Sequence, residues 1–182
     1  PAFLSKNPEA TLQYTRVVAE YLQAAARSWQ STRPQLSLFP NDQVRTRQTG
    51  LLRLLIKGGV LTLSKNSIIV LNRETIEKQA STKVLLQKGR LHTSFRKSPG
   101  SVRPGLQIVT PAAIASVRGT ELMTAVDEDE NTMVGCYEGL VGVSAQGKTV
   151  EVPAGYGTFV KKGEPPTEPF LLPAAPTLDE NE

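Results

Sequence analysis

One cysteine and one histidine stand in 182 residues, and that scarcity sets the first bounds. Cys136 alone cannot close an internal disulfide; it alternates with apolar strand residues and reads as a small buried hydrophobe. His92 and Cys136, 44 residues apart, do not make a zinc site, which needs clustered ligands. No metal and no cofactor is expected. Aromatics make up 5% of the chain, too few for a base-stacking surface, and no helix-turn-helix or zinc spacing occurs, so nucleic acid is not an expected partner. No glycine loop cradles phosphate: Gly139, Gly142, Gly147, Gly155 and Gly157 fall between strand patterns with no helix pattern after them. No run approaches the roughly 18 apolar residues of a membrane span. A signal peptide is also missing, and Pro1-Ala2-Phe3-Leu4 reads as a terminus left by cleavage of an export segment outside this sequence.

Charge is present but divided. Residues 1–110 hold 17 Lys/Arg against 5 Asp/Glu, a net of +12, and residues 111–182 hold 4 against 12, a net of −8. Such a division suits a basic face for an anionic partner, an internal dipole or self-association. Arg45, Arg47, Arg53, Arg96, Lys97 and Arg103 are the candidate binding residues. Two of them, Arg45 and Arg47, alternate with Val44 and Thr46 and so project from the face opposite Val44. The segment Phe95–Pro104 is basic and rich in Pro and Gly, the composition of an exposed binding loop.

Apolar alternation recurs along the chain at the period of half-buried strands. Leu51–Ile56 and Val60–Leu63 flank Lys57-Gly58-Gly59, a tight hairpin. Leu85–Ser94 and Val134–Ser144 share a plan of strand, Lys88-Gly89 or Glu138-Gly139 corner, and second strand, which suggests stacked β units. Arg73–Gln79 reads as a turn of helix or a loop off this framework. Residues 12–30 admit two readings, an alanine-rich helix or a strand with a turn at Ala24–Arg27 and a return at Ser28-Trp29-Gln30. Residues 1–11 read as a loose arm. Residues 164–182, rich in proline and acidic, read as a tail with too little apolar surface to order, although Phe170-Leu171-Leu172 could dock as a short strand.

The stretch Thr110–Gly155 organises the rest. It carries Thr110-Pro111 and Ala113, then Val117-Arg118-Gly119-Thr120-Glu121, Glu138-Gly139 and Pro153-Ala154-Gly155. This set resembles the FecR domain, an extracytoplasmic β module of sigma-factor regulators and related exported proteins. Upstream, Asn41-Asp42-Gln43-Val44-Arg45-Thr46 is similar to the family's Gly-Asp-x-Val-x-Thr step, with Asn41 where glycine is usual. Leu122-Met123 stands where an aromatic is common.

The resemblance implies an all-β fold, a single FecR-like domain over residues 12–163 with antiparallel hairpins stacked as a β-helix-like or sandwich arrangement. It favours the strand reading of residues 12–30. It also implies a periplasmic or extracellular, non-catalytic module that binds or senses another envelope protein, with self-association as a further mode. The alternative is a structural envelope component that binds anionic polysaccharide through the basic first 110 residues. No catalytic residue is assigned: His92 reads as a surface or partly satisfied strand histidine, without a carboxylate or serine in an evident partnering motif. Arg118, beside apolar strand residues, reads either as a corner lock paired with Glu121 or Glu138 or as a ligand-facing cation. Asp127–Asn131 reads as a solvated turn, lacking the glycine and distal glutamate of a calcium loop.

Overall fold

Tertiary pairing, not helix propensity, decides the opening segment. The computed structural model describes residues 8–16, 19–76, 79–96 and 105–173. It has β1 at Ala10–Arg16, β2 at Ala19–Leu22 and β3 at Gln30–Ser31. The alanines between β2 and β3 form a turn, closed by the Ala26 N–H donating to Gln23 O at 2.9 Å. Helix would satisfy Ala24–Ala26 locally, but it would pull Leu12, fully buried opposite Leu54, out of the core. Burying such a leucine contributes about 2 kcal/mol, more than the few tenths that separate local propensities.

The other strands are β4 (Ser37–Leu38), β5 (Gln43–Thr46), β6 (Leu51–Ile56), β7 (Gly59–Leu63), β8 (Ile68–Ile76), β9 (Gln79–Phe95), β10 (Leu106–Val109), β11 (Ile114–Val117), β12 (Thr120–Val126), β13 (Thr132–Glu138), β14 (Leu140–Ala145), β15 (Lys148–Pro153), β16 (Tyr156–Val160) and β17 (Phe170–Leu171). The fold is all-β, and its sheets are open rather than closed into a barrel. One sheet runs β4-β1-β6-β7-β9-β12-β13-β16-β17. The other runs β3-β2-β5-β8-β9-β10-β11-β14-β15. Among the described residues only β9–β10 is parallel. Strict alternation, as in β12, turns Leu122, Thr124 and Val126 inward, and both sheets feed one apolar cluster.

The chain passes repeatedly from one sheet to the other, and left-handed backbone marks the passages. Asn41 (φ 71°) leads from β4 to β5, Asn66 (φ 54°) from β7 to β8, Gly119 (φ 94°) from β11 to β12, Gly139 (φ 82°) from β13 to β14, and Gly155 (φ 85°) from β15 to β16. Glycine and, next to it, asparagine tolerate that region best. Asn41 therefore performs the same turn as the glycine usual in the resembling family. The family-like glycines are corners of the architecture.

Three expectations change. Arg73–Ile76 and Gln79 are neither helix nor loop: they extend β8 and β9, with Arg73 opposite Thr82 and Ile76 opposite Gln79. The backbone ladder carries both strands through this charged stretch. Leu85–Ser94 is not two strands but the second half of β9, which changes sheet at Gly89 (φ 94°) without a break. Of the expected tail, Thr167 to Leu172 docks along β16 as described below. Residues 1–7, Lys97, Arg103 and most of the Phe95–Pro104 loop, and residues 174–182, lie outside the described residues.

Candidate functional site

The upstream motif is built for structure. Asp42 is buried, and its carboxylate accepts the Ala24 N–H at 3.0 Å and the Phe39 N–H at 2.8 Å. Val44 enters the core. Thr46, also buried, donates to Ser64 O at 2.6 Å and accepts the Ser67 N–H at 3.0 Å. The spacing of Asp42, Val44 and Thr46 places all three on the inward side of β5, where each binds a different neighbour. Downstream, the Thr110 hydroxyl accepts the Ala113 N–H at 2.9 Å and meets the Thr132 hydroxyl at 2.7 Å. It closes the β10–β11 turn, with exposed Pro111 inside it. At the other end the Ala154 N–H donates to Gly139 O at 3.1 Å and the Gly155 N–H to Cys136 O at 2.8 Å. Pro153 opposite Leu140 thus leads into a corner tied to the Glu138-Gly139 corner.

The described basic candidates lie in three places. Arg45 Nε bonds Glu20 Oε2 at 2.6 Å, and Arg47 Nε bonds the same oxygen at 2.9 Å. The Arg45 guanidinium also stacks 4.0 Å from the Trp29 ring centroid, a cation–π contact. Two arginine hydrogen bonds hold the Glu20 carboxyl below its ordinary value, the Arg45 bond most of all. This outer cluster joins β2, β5 and the segment before β3, and its arginines are largely committed within the chain. Arg53 lies exposed on β6, in the other sheet. Arg96 is exposed at the end of β9.

Around Arg96 the ends of β9, β12 and β13 frame a cleft of about 410 Å³. Ser94, Phe95, Gly119, Thr120, Glu121 and Glu138 complete its wall. Beside it the half-buried His92 meets Glu121, Nε2 to Oε1 at 3.0 Å. Register explains a partnership that sequence spacing hides: β12 puts Met123 opposite His92 and Glu121 opposite Ser94, one diagonal step away. No hydrogen bond joins Ser94 to His92 among the described residues. The cleft therefore has a charged wall with an oriented imidazole next to it, and among the described residues no linked nucleophile and base.

Arg118 does not form the corner lock, one of its two expected roles. It is exposed and makes no ion pair among the described residues. Val117 points inward, so the next side chain points outward and pays no burial cost that a carboxylate must offset. Glu121 is engaged by His92, and Gly119 turns the corner through its backbone. Arg118 instead borders a shallow hollow of about 170 Å³ with Ser116, Leu140, Gly142 and Glu151 on the outer face of β11, β14 and β15. Arg118→Lys is expected to change unfolding stability by no more than about 0.5 kcal/mol in a denaturant titration; a loss beyond 2 kcal/mol would restore the locking role.

The acidic turn is internally satisfied. Asp127 accepts the Asn131 N–H at 2.8 Å and its side-chain amide at 3.0 Å; the side-chain bond is the main reason its carboxyl titrates below the ordinary value. Asn131 Oδ1 in turn accepts the Lys162 N–H at 3.1 Å, and Lys162 Nζ bonds Glu130. Among the described residues no three His, Cys, Asp or Glu side chains gather as a metal set.

Comparison with known proteins agrees with these corners. The family model described as FecR protein matches residues 42–142, from buried Asp42 past the Gly139 corner. Two crystal structures of a candidate anti-sigma factor from Parabacteroides distasonis ATCC 8503, at 2.50 and 1.65 Å resolution, share the fold with a TM-score of 0.56 at 18% identity. The match covers 70% of this chain and 57% of those chains, so this chain corresponds to little more than half their length. No curated protein matches. With more than half its length under the family model, the chain belongs to the FecR family.

Proposed function

We propose that the chain is a non-catalytic, extracytoplasmic binding or sensing module that engages another envelope protein in a regulatory system. The observation that carries this reading is family membership over residues 42–142. The Parabacteroides protein of shared fold bears an anti-sigma description, a regulatory role that belongs to that protein and supports the same class here. The division of labour within the chain agrees: the shared motif residues turn corners, leaving outward faces and strand edges for recognition.

The test is a crosslinked capture from the envelope fraction with the full chain as bait, washed at low and then high salt. One dominant protein retained at high salt is expected, because strand pairing and apolar contact survive the screening that weakens exposed charge pairs beyond about 8–10 Å. Recovery of glycan at low salt alone, with no retained protein, would overturn the reading in favour of polyanion binding through residues such as Arg53 and Arg96.

A further inference from the structure

Glycine inside a strand weakens it unless something must come close, and two glycines meet here. Gly135 on β13 and Gly157 on β16 are cross-strand partners. Both occupy outward positions, between inward Val134 and Cys136 or before inward Thr158, yet both are buried. Leu172 covers them. The three nearest atoms to a Cβ built on Gly135 would all belong to Leu172, at 3.0 to 3.9 Å, and a Cβ on Gly157 would meet Leu172 Cδ2 at 2.8 Å. The pair forms a hole that one leucine fills.

The segment bearing Leu172 runs antiparallel along β16, held chiefly by main-chain bonds. Thr167 donates its N–H to Phe159 O at 3.0 Å, and its hydroxyl accepts the Phe159 N–H at 3.1 Å. Its carbonyl accepts the buried Thr158 hydroxyl at 2.8 Å. Phe170 and Leu171 pair with Gly157 and Tyr156, and the Leu172 N–H reaches Gly155 O at 2.9 Å. Among the described residues one exposed ion pair, Lys148–Glu168, adds to this. An exposed turn at Lys161–Glu164, with Gly163 at φ 83°, connects the segment to β16. Prolines at 165, 166, 169 and 173 remove donors, so the segment closes the sheet edge without offering a good one of its own. Leu171 remains 72% exposed, so this apolar side chain is not used by the resident contact.

A short extended segment with backbone pairing and one side-chain anchor has the form of a strand-addition ligand. We propose that the β13–β16 edge is a docking site for an extended peptide carrying threonine and, five residues on, leucine. The resident Thr167–Leu172 segment occupies the site and gives way to a protein partner of that pattern. The inference rests on the protein-binding reading for the existence of a partner, though not for the site itself. Because the resident segment is tethered by a short turn, its effective concentration is high and an outside peptide competes poorly until it is dislodged.

The test titrates a fluorescent synthetic peptide of residues 164–173 into three full chains: wild type, Leu172→Asp, and Leu172→Asp with Gly135→Ala. Amide exchange at Phe159 and thermal melting are followed in each. Leu172→Asp is expected to melt cooperatively, exchange the Phe159 amide faster than wild type, and bind the peptide at least about 10-fold more tightly. Gly135→Ala, whose added methyl fills the leucine hole, is expected to abolish that gain. Equal peptide binding by wild type and Leu172→Asp, no binding by Leu172→Asp, binding indifferent to Gly135→Ala, or unchanged Phe159 exchange would each overturn the proposal. So would loss of cooperative melting in Leu172→Asp, which would make the segment a structural strand. Failure of this titration with envelope-protein capture intact removes the groove and leaves the binding reading; the reverse pattern removes the reading and leaves the groove.

Discussion

Gly139→Ala is expected to lower stability by about 3–4 kcal/mol, combining a left-handed backbone cost of about 1–2 kcal/mol with a steric cost of about 2. Gly139 sits at φ 82° where β13 leaves its sheet for β14. An added Cβ would overlap Gly119 O and lie 2.9 Å from Thr120 Cγ2. Both neighbours belong to the companion corner, so relief requires moving a second sheet crossing. Gly155 supplies the control: it has φ 85° but nothing within 4 Å of an added Cβ, and Gly155→Ala should cost only the conformational part, about 1 kcal/mol. Gly89→Ala, whose Cβ would overlap the Ser67 side chain, belongs with Gly139→Ala. At about 2–4 °C per kcal/mol for a chain of this size, calorimetry should separate Gly139→Ala from Gly155→Ala by roughly 4–12 °C. Similar melting temperatures for the two would mean that crowding at the paired corners is not what requires glycine.

Asp42→Ala should cost about 2–3 kcal/mol, because it strips the acceptor from two backbone N–H groups at once. The same corner carries the Asn41 N–H to Leu71 O bond at 2.6 Å and the Leu71 N–H to Asp42 O bond at 3.0 Å, so β5 and β8 lose their alignment with it. Asp42→Asn retains one acceptor oxygen and should cost roughly half as much. Urea titrations of the two variants test this. Equal losses would show that charge rather than the second acceptor matters, and no loss would show that water replaces the carboxylate.

The parts of this fold that were legible in sequence are those where one residue type meets a local backbone demand. Gly119, Gly139 and Gly155 mark corners because left-handed backbone favours glycine. The Asp42, Val44 and Thr46 step was legible as a pattern for a related reason, since alternate strand positions face one side. Contacts that depend on register were not. Glu20 and Arg45 are 25 residues apart and meet only because β2 pairs with β5, and His92 finds Glu121 only across β9 and β12. Of the two readings of Arg118, burial beside apolar residues favours the lock, but the strand period places the side chain outside. Proline and acidic content made residues 164–173 resemble a loose tail, and composition carries no record of a preformed edge. The available signal was Gly135 and Gly157, two glycines interrupting apolar strands without a turn at either.

The most direct measurement compares how much envelope protein Leu172→Asp and Leu172→Asp/Gly135→Ala, each in this 182-residue chain, retain after crosslinked capture and a high-salt wash. If the domain engages a protein through the β13–β16 edge, the single variant retains one dominant protein, and filling the leucine hole sharply reduces it. Equal retention by both, or protein lost from both at high salt, would contradict the account.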